Sequence, residues 1–313
     1  MIDFDLSPNV GYALLGILGL LVVASLFALV LGRIRRDKDY SELRLRIRTW
    51  WVIVLLFGAA IALTPIFAIA LLGFVSFLAY KEYVTLIPTR RADHRVLFWS
   101  YVAIPLQYYW VADAWYGMFI IFIPVYCFLL LPARMVLIGE TDGFIRAAGT
   151  LHWGLMTTVF SLSHTAYLLA LPAAGNPVAG GDGLLLYLLL LTQLNDVAQY
   201  VWGKTFGRHK VVPKVSPKKT VEGLIGGILT TAAVAVAVAP FLTPLTRLES
   251  LGAGLLIGVS GFLGDISVSA VKRDLGIKDS GNTLPGHGGI LDRVDSLTFA
   301  APLFFHFVYY LHY

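Results

Sequence analysis

The chain has 313 residues, 58% of them hydrophobic and only 14% charged, with a mean hydropathy of +0.76. A soluble globular chain is about a quarter charged, and lipid admits only helices or closed barrels. Apolar runs of roughly 15 to 25 residues, without the alternation of a barrel, therefore predict an all-α polytopic integral membrane protein.

In chain order the expected spans are Val10–Gly32, Trp50–Thr64, Pro65–Tyr80, Val96–Ala112, Gly117–Pro132, Ala147–Leu171, Leu184–Trp202, Val221–Phe241, Leu251–Val271 and Leu297–Tyr313. That is about ten transmembrane helices, within a range of eight to ten. Asp3 and Asp5 precede the first run, where a signal peptide would carry basic residues, so it reads as a retained span. The stretch from Trp50 to Tyr80 is one kinked helix or two short ones meeting near Pro65. Charge decides for two. Arg33, Arg35, Arg36, Lys38, Arg44, Arg46 and Arg48 precede it, and Lys81, Arg90, Arg91 and Arg95 follow it. Both groups belong in the cytoplasm, which requires an even number of crossings between them.

The later loops alternate in step. Segments 133–146, 203–220 and 272–296 are rich in Lys and Arg and fall inside, whereas 113–116, 172–183 and 242–250 hold only Arg247 and fall outside. Both termini are expected outside, and the active-site loops on the cytoplasmic side. Residues 1–146 read as a scaffold of helices and 147–313 as the catalytic part. The net charge of +5 lies in these membrane-flanking loops, which suits anionic lipids and needs no nucleic-acid partner. Cys127 is the single cysteine and can form no intramolecular disulfide.

Two polar stretches interrupt the apolar pattern. In the second, Asp265, Ser269, Lys272 and Arg273 are spaced to share one face of a helix leaving the membrane. "IKDSGN", "PGHGG" and "DRVD" follow. Gly286, Gly288 and Gly289 allow a close backbone approach to an anion. Asp279, Asp292 and Asp295 are hard oxygen donors suited to Mg²⁺, and Lys272, Arg273, Lys278 and Arg293 suit phosphate. An acid such as Asp265 within a span is costly unless paired, hydrated or bound to a cation. The first stretch, Asn195 to Gly223, sets Asn195 and Asp196 in an apolar span, followed by Lys204, Arg208, Lys210, Lys214, Lys218 and Lys219. Ser216 or Thr220 is placed to cap the next helix, whose positive end favours anions. Together the two stretches point to a metal-assisted phosphate site.

Plainer readings apply elsewhere. Lys204, Arg208, Lys210 and Lys214 suit a solvated or headgroup-facing surface, and the Arg33–Arg48 run suits an interfacial one. His152 and His164 lack metal-ligand spacing and read as packed. "GETDGF", Gly139 to Phe144, reads as an ordinary loop.

The residues from Ser269 to Asp295 resemble the signature of phosphatidate cytidylyltransferases, also called CDP-diacylglycerol synthases. The matching run is Ser269-x-Val271-Lys272-Arg273, then Lys278-Asp279-x-Gly281, then Leu284-Pro285-x-His287-Gly288-Gly289-Ile290-x-Asp292-Arg293-Val294-Asp295. Asp196, Tyr200-x-x-Gly203, Phe206-Gly207 and Ser216-Pro217-x-Lys219-Thr220-x-Glu222-Gly223 resemble the other shared region of that family. The resemblance covers roughly Asn195 to Ser296, and one position departs from it: Gln199 stands where a small residue usually precedes the tyrosine.

This resemblance implies CTP and phosphatidate as substrates, with CDP-diacylglycerol and pyrophosphate as products. It implies Asp196, Asp265, Lys272, Arg273 and Asp292 as catalytic groups. Ser216, Lys219, Thr220, Ser269, Lys278, His287, Gly288, Gly289 and Arg293 become substrate contacts. Asp196, Asp265 and Asp292, and less directly Asp279 and Asp295, become ligands of Mg²⁺, as two divalent ions or one with a monovalent cation. Membrane lipids are the expected surroundings, a homodimer is an open partner state, and the inner membrane, with the site facing the cytosol, is the expected location. Two alternatives stand beside this reading: a CTP-dependent transferase acting on another lipid phosphate, and a cation-coupled transporter using Asp196 and Asp265 as ion ligands.

Overall fold

The computed structural model describes residues 6–34, 40–90, 93–281, 283 and 288–313. These residues are almost entirely helical. The helices are α1 (Pro8–Ile34), α2 (Ser41–Leu63), α3 (Pro65–Leu86), α4 (His94–Ala112), α5 (Tyr116–Ile121), α6 (Phe128–Val136), α7 (Phe144–Leu155), α8 (Ser161–Ala170), α9 (Gly180–Phe206), α10 (Val221–Leu242), α11 (Arg247–Asp274), α12 (Leu291–Val294) and α13 (Leu297–His312). A π-helical turn, Phe122–Cys127, joins α5 to α6, and another, Met156–Phe160, joins α7 to α8. An isolated antiparallel bridge pairs Lys210 with Thr220.

Each expected span falls on helix. Thr64 is extended and Pro65 opens α3, so the Trp50–Tyr80 stretch is two helices, as the charge argument required. Proline tolerates a first helical turn because its missing N–H has no partner there anyway. Among the described residues, eight helices are long and apolar enough to cross a membrane. The protein is therefore a multi-pass helical membrane protein. The expected spans beyond those eight are helical too: polar α4, with His94, Arg95 and Gln107, and the interrupted rod α7–α8.

The centre of the bundle is α9, α10 and α11, with α13 packed between α11 and α8. Small residues set these contacts. A side chain at Gly254 would run into the backbone of Ala232, and one at Gly227 into Gln199. In lipid, where the hydrophobic effect does not drive helices together, such close approach supplies the packing energy. Asn195 ties the three helices together: its Nδ2 donates to Gly258 O at 3.1 Å, and its Oδ1 accepts from Thr231 Oγ1 at 3.2 Å. A second cluster, of rings from α5, α8 and α13, stacks Tyr116 on Tyr309 at 4.6 Å and packs Phe119 against Tyr167 at 4.4 Å.

The bundle has two distinct ends. At one, Asn9 Nδ2 donates to Val178 O, Asn176 Nδ2 to Leu242 O, and His312 lies 3.4 Å from Glu249. At the other, α9 and α11 run out and α10 begins. The loops after α9 and α11 meet there, where Arg273 Nε donates to Val215 O at 3.1 Å. The two polar stretches of the sequence thus share one end. Both ends of the described chain, near Asn9 and His312, lie at the other.

Candidate active site

Two lysine–carboxylate pairs organise this end. Thr220 caps α10, its Oγ1 accepting from Gly223 N at 3.2 Å, and so Lys219 is fixed at the mouth of the helix. Lys219 Nζ lies 2.5 Å from Asp265 Oδ2 on α11, donates to Gln199 Oε1 on α9 at 3.2 Å, and stands 5.4 Å from the centre of the Phe262 ring. One helical turn beyond Asp265, Ser269 Oγ donates to Asp265 Oδ1 at 3.2 Å. Lys272, a turn further and only 8% exposed, reaches Asp292 Oδ1 at 2.6 Å. The i, i+4, i+7 face expected from the sequence is therefore real for Asp265, Ser269 and Lys272. Arg273 points elsewhere and straps two loops together, through Val215 O and Ile277 O.

Two further carboxylates lie among these groups. Both oxygens of Asp196 accept from Ser296 Oγ, at 3.1 and 3.0 Å, and Asp295 Oδ1 accepts from Ser296 N at 2.8 Å. Asp196, Asp265 and Asp295 interact electrostatically with one another. Among the described residues neither Asp196 nor Asp295 has a basic partner at ion-pair distance. Buried negative charge of this kind demands protonation or a cation. Hard oxygen donors and surplus negative charge fit a divalent ion such as Mg²⁺ in chemistry. Among the described residues, however, no three His, Cys, Asp or Glu side chains stand close enough to form a ready ligand group.

Asp292 is already saturated. Besides Lys272 on Oδ1, its Oδ2 accepts from Ser280 N at 2.8 Å, Ser280 Oγ at 3.0 Å and Gly289 N at 3.2 Å. In this arrangement it staples the Gly-rich loop to α11.

Glu82, at the end of α3, also enters this site, and no motif in the sequence singled it out. Its Oε1 accepts from Thr283 Oγ1 at 2.5 Å and Ile290 N at 2.9 Å, and its Oε2 from Ser280 Oγ at 3.2 Å and Leu291 N at 2.9 Å. It caps α12 and closes the loop from the opposite side to Asp292. Gly289 sits between the two carboxylates, and a side chain there would overlap Ser280 Oγ and Glu82. Gly288 has a φ of 79°, which favours glycine. The available signal was an acid, in "KEY", at the end of an otherwise apolar span.

The remaining expected residues divide. Ser216 forms a turn, its O accepting from Lys219 N at 3.2 Å, and thereby shapes the approach to α10. Lys278, Asp279 and Arg293 are exposed, although Arg293 still acts electrostatically on Asp196. His287 lies outside the described residues. Gln199 is 5% exposed, and its Nε2 has no hydrogen-bond partner. The "GETDGF" loop is held by Arg90, which donates to Glu140 O and Asp142 O while paired with Asp93.

A family model described as the cytidylyltransferase family matches residues 44–311. The chain belongs to the cytidylyltransferase family. It is a nucleotidyltransferase embedded in a membrane, and the family resemblance carried by Ser269–Asp295 holds. This cytidylyltransferase is 48% identical to the uncharacterized protein YnbB of Escherichia coli K12 over 295 residues, 94% of this chain and 96% of that one. It is 45% identical over 120 residues to a phosphatidate cytidylyltransferase of Staphylococcus aureus, 38% of this chain and 46% of that enzyme. A phosphatidate cytidylyltransferase of a Synechocystis species is 47% identical over 114 residues, 36% of this chain and 39% of that one. The chain thus spans less than half of each named phosphatidate enzyme.

Proposed function

We propose that this enzyme is a CTP:phosphatidate cytidylyltransferase that makes CDP-diacylglycerol and pyrophosphate for phospholipid synthesis. The observation that carries the reading is the pair of lysine–carboxylate contacts, Lys219–Asp265 and Lys272–Asp292, at the end where both polar loops meet. An oxygen of the lipid phosphate attacks the α-phosphorus of CTP. The bond from that phosphorus to the bridging oxygen breaks, and pyrophosphate leaves. The nucleophile is already an anion, so no covalent enzyme intermediate is needed, and charge neutralisation is the main demand.

Lys219, Lys272 and Arg273 neutralise the triphosphate and the departing pyrophosphate. Before substrate arrives, carboxylates hold both lysines in place, and a triphosphate competes for them. Ser269, Ser216, Thr220, the Gly288–Gly289 backbone and, from the exposed side, Lys278, Arg293 and His287 contact one substrate or the other. Asp196 and Asp265, with Asp295 beside them, would hold Mg²⁺, and Asp292 and Asp279 would act at the margin. When bound, the ion supplies further neutralisation of phosphate oxygens. In this reading the helices make about ten crossings of the inner membrane, the site faces cytosolic CTP, and both termini lie on the other side.

One observation favours a second acceptor. Gln199 fills space where a small residue is usual, beside Lys219, and this suits a transferase acting on another lipid phosphate.

The test is pyrophosphate release by the purified protein in detergent with phosphatidate, CTP and Mg²⁺. Release should require all three and should vanish in Asp265→Asn. CTP binding without release would move the acceptor to another lipid phosphate, and the absence of both release and CTP binding would overturn the reading. The metal assignment has its own readout: Mg²⁺ should raise the melting temperature of the wild-type protein and leave Asp196→Asn/Asp265→Asn unmoved.

A further inference from the structure

The family match begins at residue 44, so α1 lies outside it. α1 forms an antiparallel hairpin with α2. Gly58 lies beside Leu14, Trp51 Nε1 donates to Ser25 Oγ at 3.0 Å, and the Arg44 guanidinium lies beside Gly32. Asn9 fixes the start of α1 beside Val178, just before α9 begins. The Arg44 end of the hairpin is therefore at the same end of the bundle as the lysine–carboxylate pairs.

Between the two helices is a cavity of about 330 Å³. Its lining is chiefly apolar, with Ala28 and Ile47, and includes the hydrogen-bonded pair Trp51–Ser25. Arg44 and Arg48 of α2 also line it, and both are exposed. These arginines are four residues apart and so lie on one helix face, where like charges repel. Their neighbour Arg46 is paired with Glu42, but among the described residues Arg44 and Arg48 have no carboxylate partner. An anion between them removes the repulsion, and two guanidinium forks match a phosphate. On α1, Leu29 of the lining and its neighbours Leu26 and Val30 are at least half exposed, as a surface for acyl chains. A ligand that meets both requirements has a phosphate joined to hydrocarbon.

We propose that the cleft between α1 and α2 binds an anionic diacyl phospholipid. Its phosphate sits between Arg44 and Arg48, and one acyl chain lies along the Leu29 side of α1. Basic pockets between transmembrane helices hold anionic headgroups for this reason. The site uses α1 and α2, whereas the proposed chemistry uses α9 to α13. Its failure would leave cytidylyl transfer untouched, and the reverse also holds.

The experiment is native mass spectrometry of the full chain in a nonionic detergent, titrated separately with phosphatidylglycerol and phosphatidylcholine. Wild-type protein should hold phosphatidylglycerol at least about tenfold more tightly than Arg44→Gln/Arg48→Gln, and Arg46→Gln should match wild type. Phosphatidylcholine should bind about tenfold more weakly than phosphatidylglycerol. Inorganic phosphate at millimolar concentration should not displace the lipid. Leu29→Trp, at an exposed position, obstructs the chain side without a change of charge and should also weaken binding. Equal phosphatidylglycerol binding by wild type and by a double variant of unchanged elution volume would overturn the proposal. So would equal binding of the two lipids, displacement by free phosphate, or full binding by Leu29→Trp.

Discussion

Lys219 has three neighbours with different demands on it: the Asp265 carboxylate, the Gln199 amide oxygen and the Phe262 ring. Its removal leaves Asp265 without a counter-charge and, in the proposed reaction, the triphosphate without a cation at the mouth of α10. Lys219→Met should lower kcat/KM by about 10² or more, the usual cost of one preorganised charge-stabilising donor, measured by pyrophosphate release. Gln199→Met separates stability from activity. The amide Nε2 is buried without a partner, and such a group costs about 1–3 kcal/mol. An unbranched thioether of similar length fits the same space beside Gly227. The melting temperature should not fall, while activity falls because Lys219 loses an acceptor. At Glu82, replacement by Ala removes four accepted hydrogen bonds from the signature loop. The KM for CTP should rise about tenfold or more, on the scale of one charged hydrogen bond, and limited proteolysis should cut near residues 275–290 faster.

Helix ends matter most at the element scale. Thr220 caps α10, and Thr246 with Glu249 forms a reciprocal capping box at the start of α11, at the opposite end of the bundle. Loss of either cap should cost about 1 kcal/mol. Thr220→Val and Thr246→Val should therefore lower the melting temperature by similar amounts. Only Thr220→Val should also lower cytidylyl transfer, because Lys219 precedes that cap in sequence. Equal kinetic losses in both would show that α10 serves only as a scaffold.

Across the whole molecule the two ends of the bundle have different compositions. The end with Lys214, Lys219 and Lys272 is basic and carries the acidic cluster, while the end with Ala174 and Leu242 has little charge. Cys127 is buried and can be replaced to leave a cysteine-free background. In sealed membrane vesicles of known orientation, Lys214→Cys and Ala174→Cys should react with an impermeant maleimide from opposite sides. Lys214→Cys should be the one labelled from the cytosolic face. Labelling of both from one side would break the topology.

Hydropathy runs and basic loops are local properties of the chain, so a helical membrane protein with charged, polar segments between its spans was readable before any packing was known. The shared face of Asp265, Ser269 and Lys272, and a cap for α10 at Ser216 or Thr220, were legible because each depends on residues within two helical turns, whereas the break at Pro65 was legible from the basic loops that flank the stretch. The partner of each charge was not legible. Glu82 meets the signature loop from about 200 residues away, Lys219 meets Asp265 only once α10 and α11 pack side by side, and Arg273 turns to backbone carbonyls, away from the carboxylates. These pairings exist only after the helices pack. Lysines and carboxylates in a loop are interchangeable to a spacing argument, and at a membrane surface what selects among them is which groups the packed helices bury together.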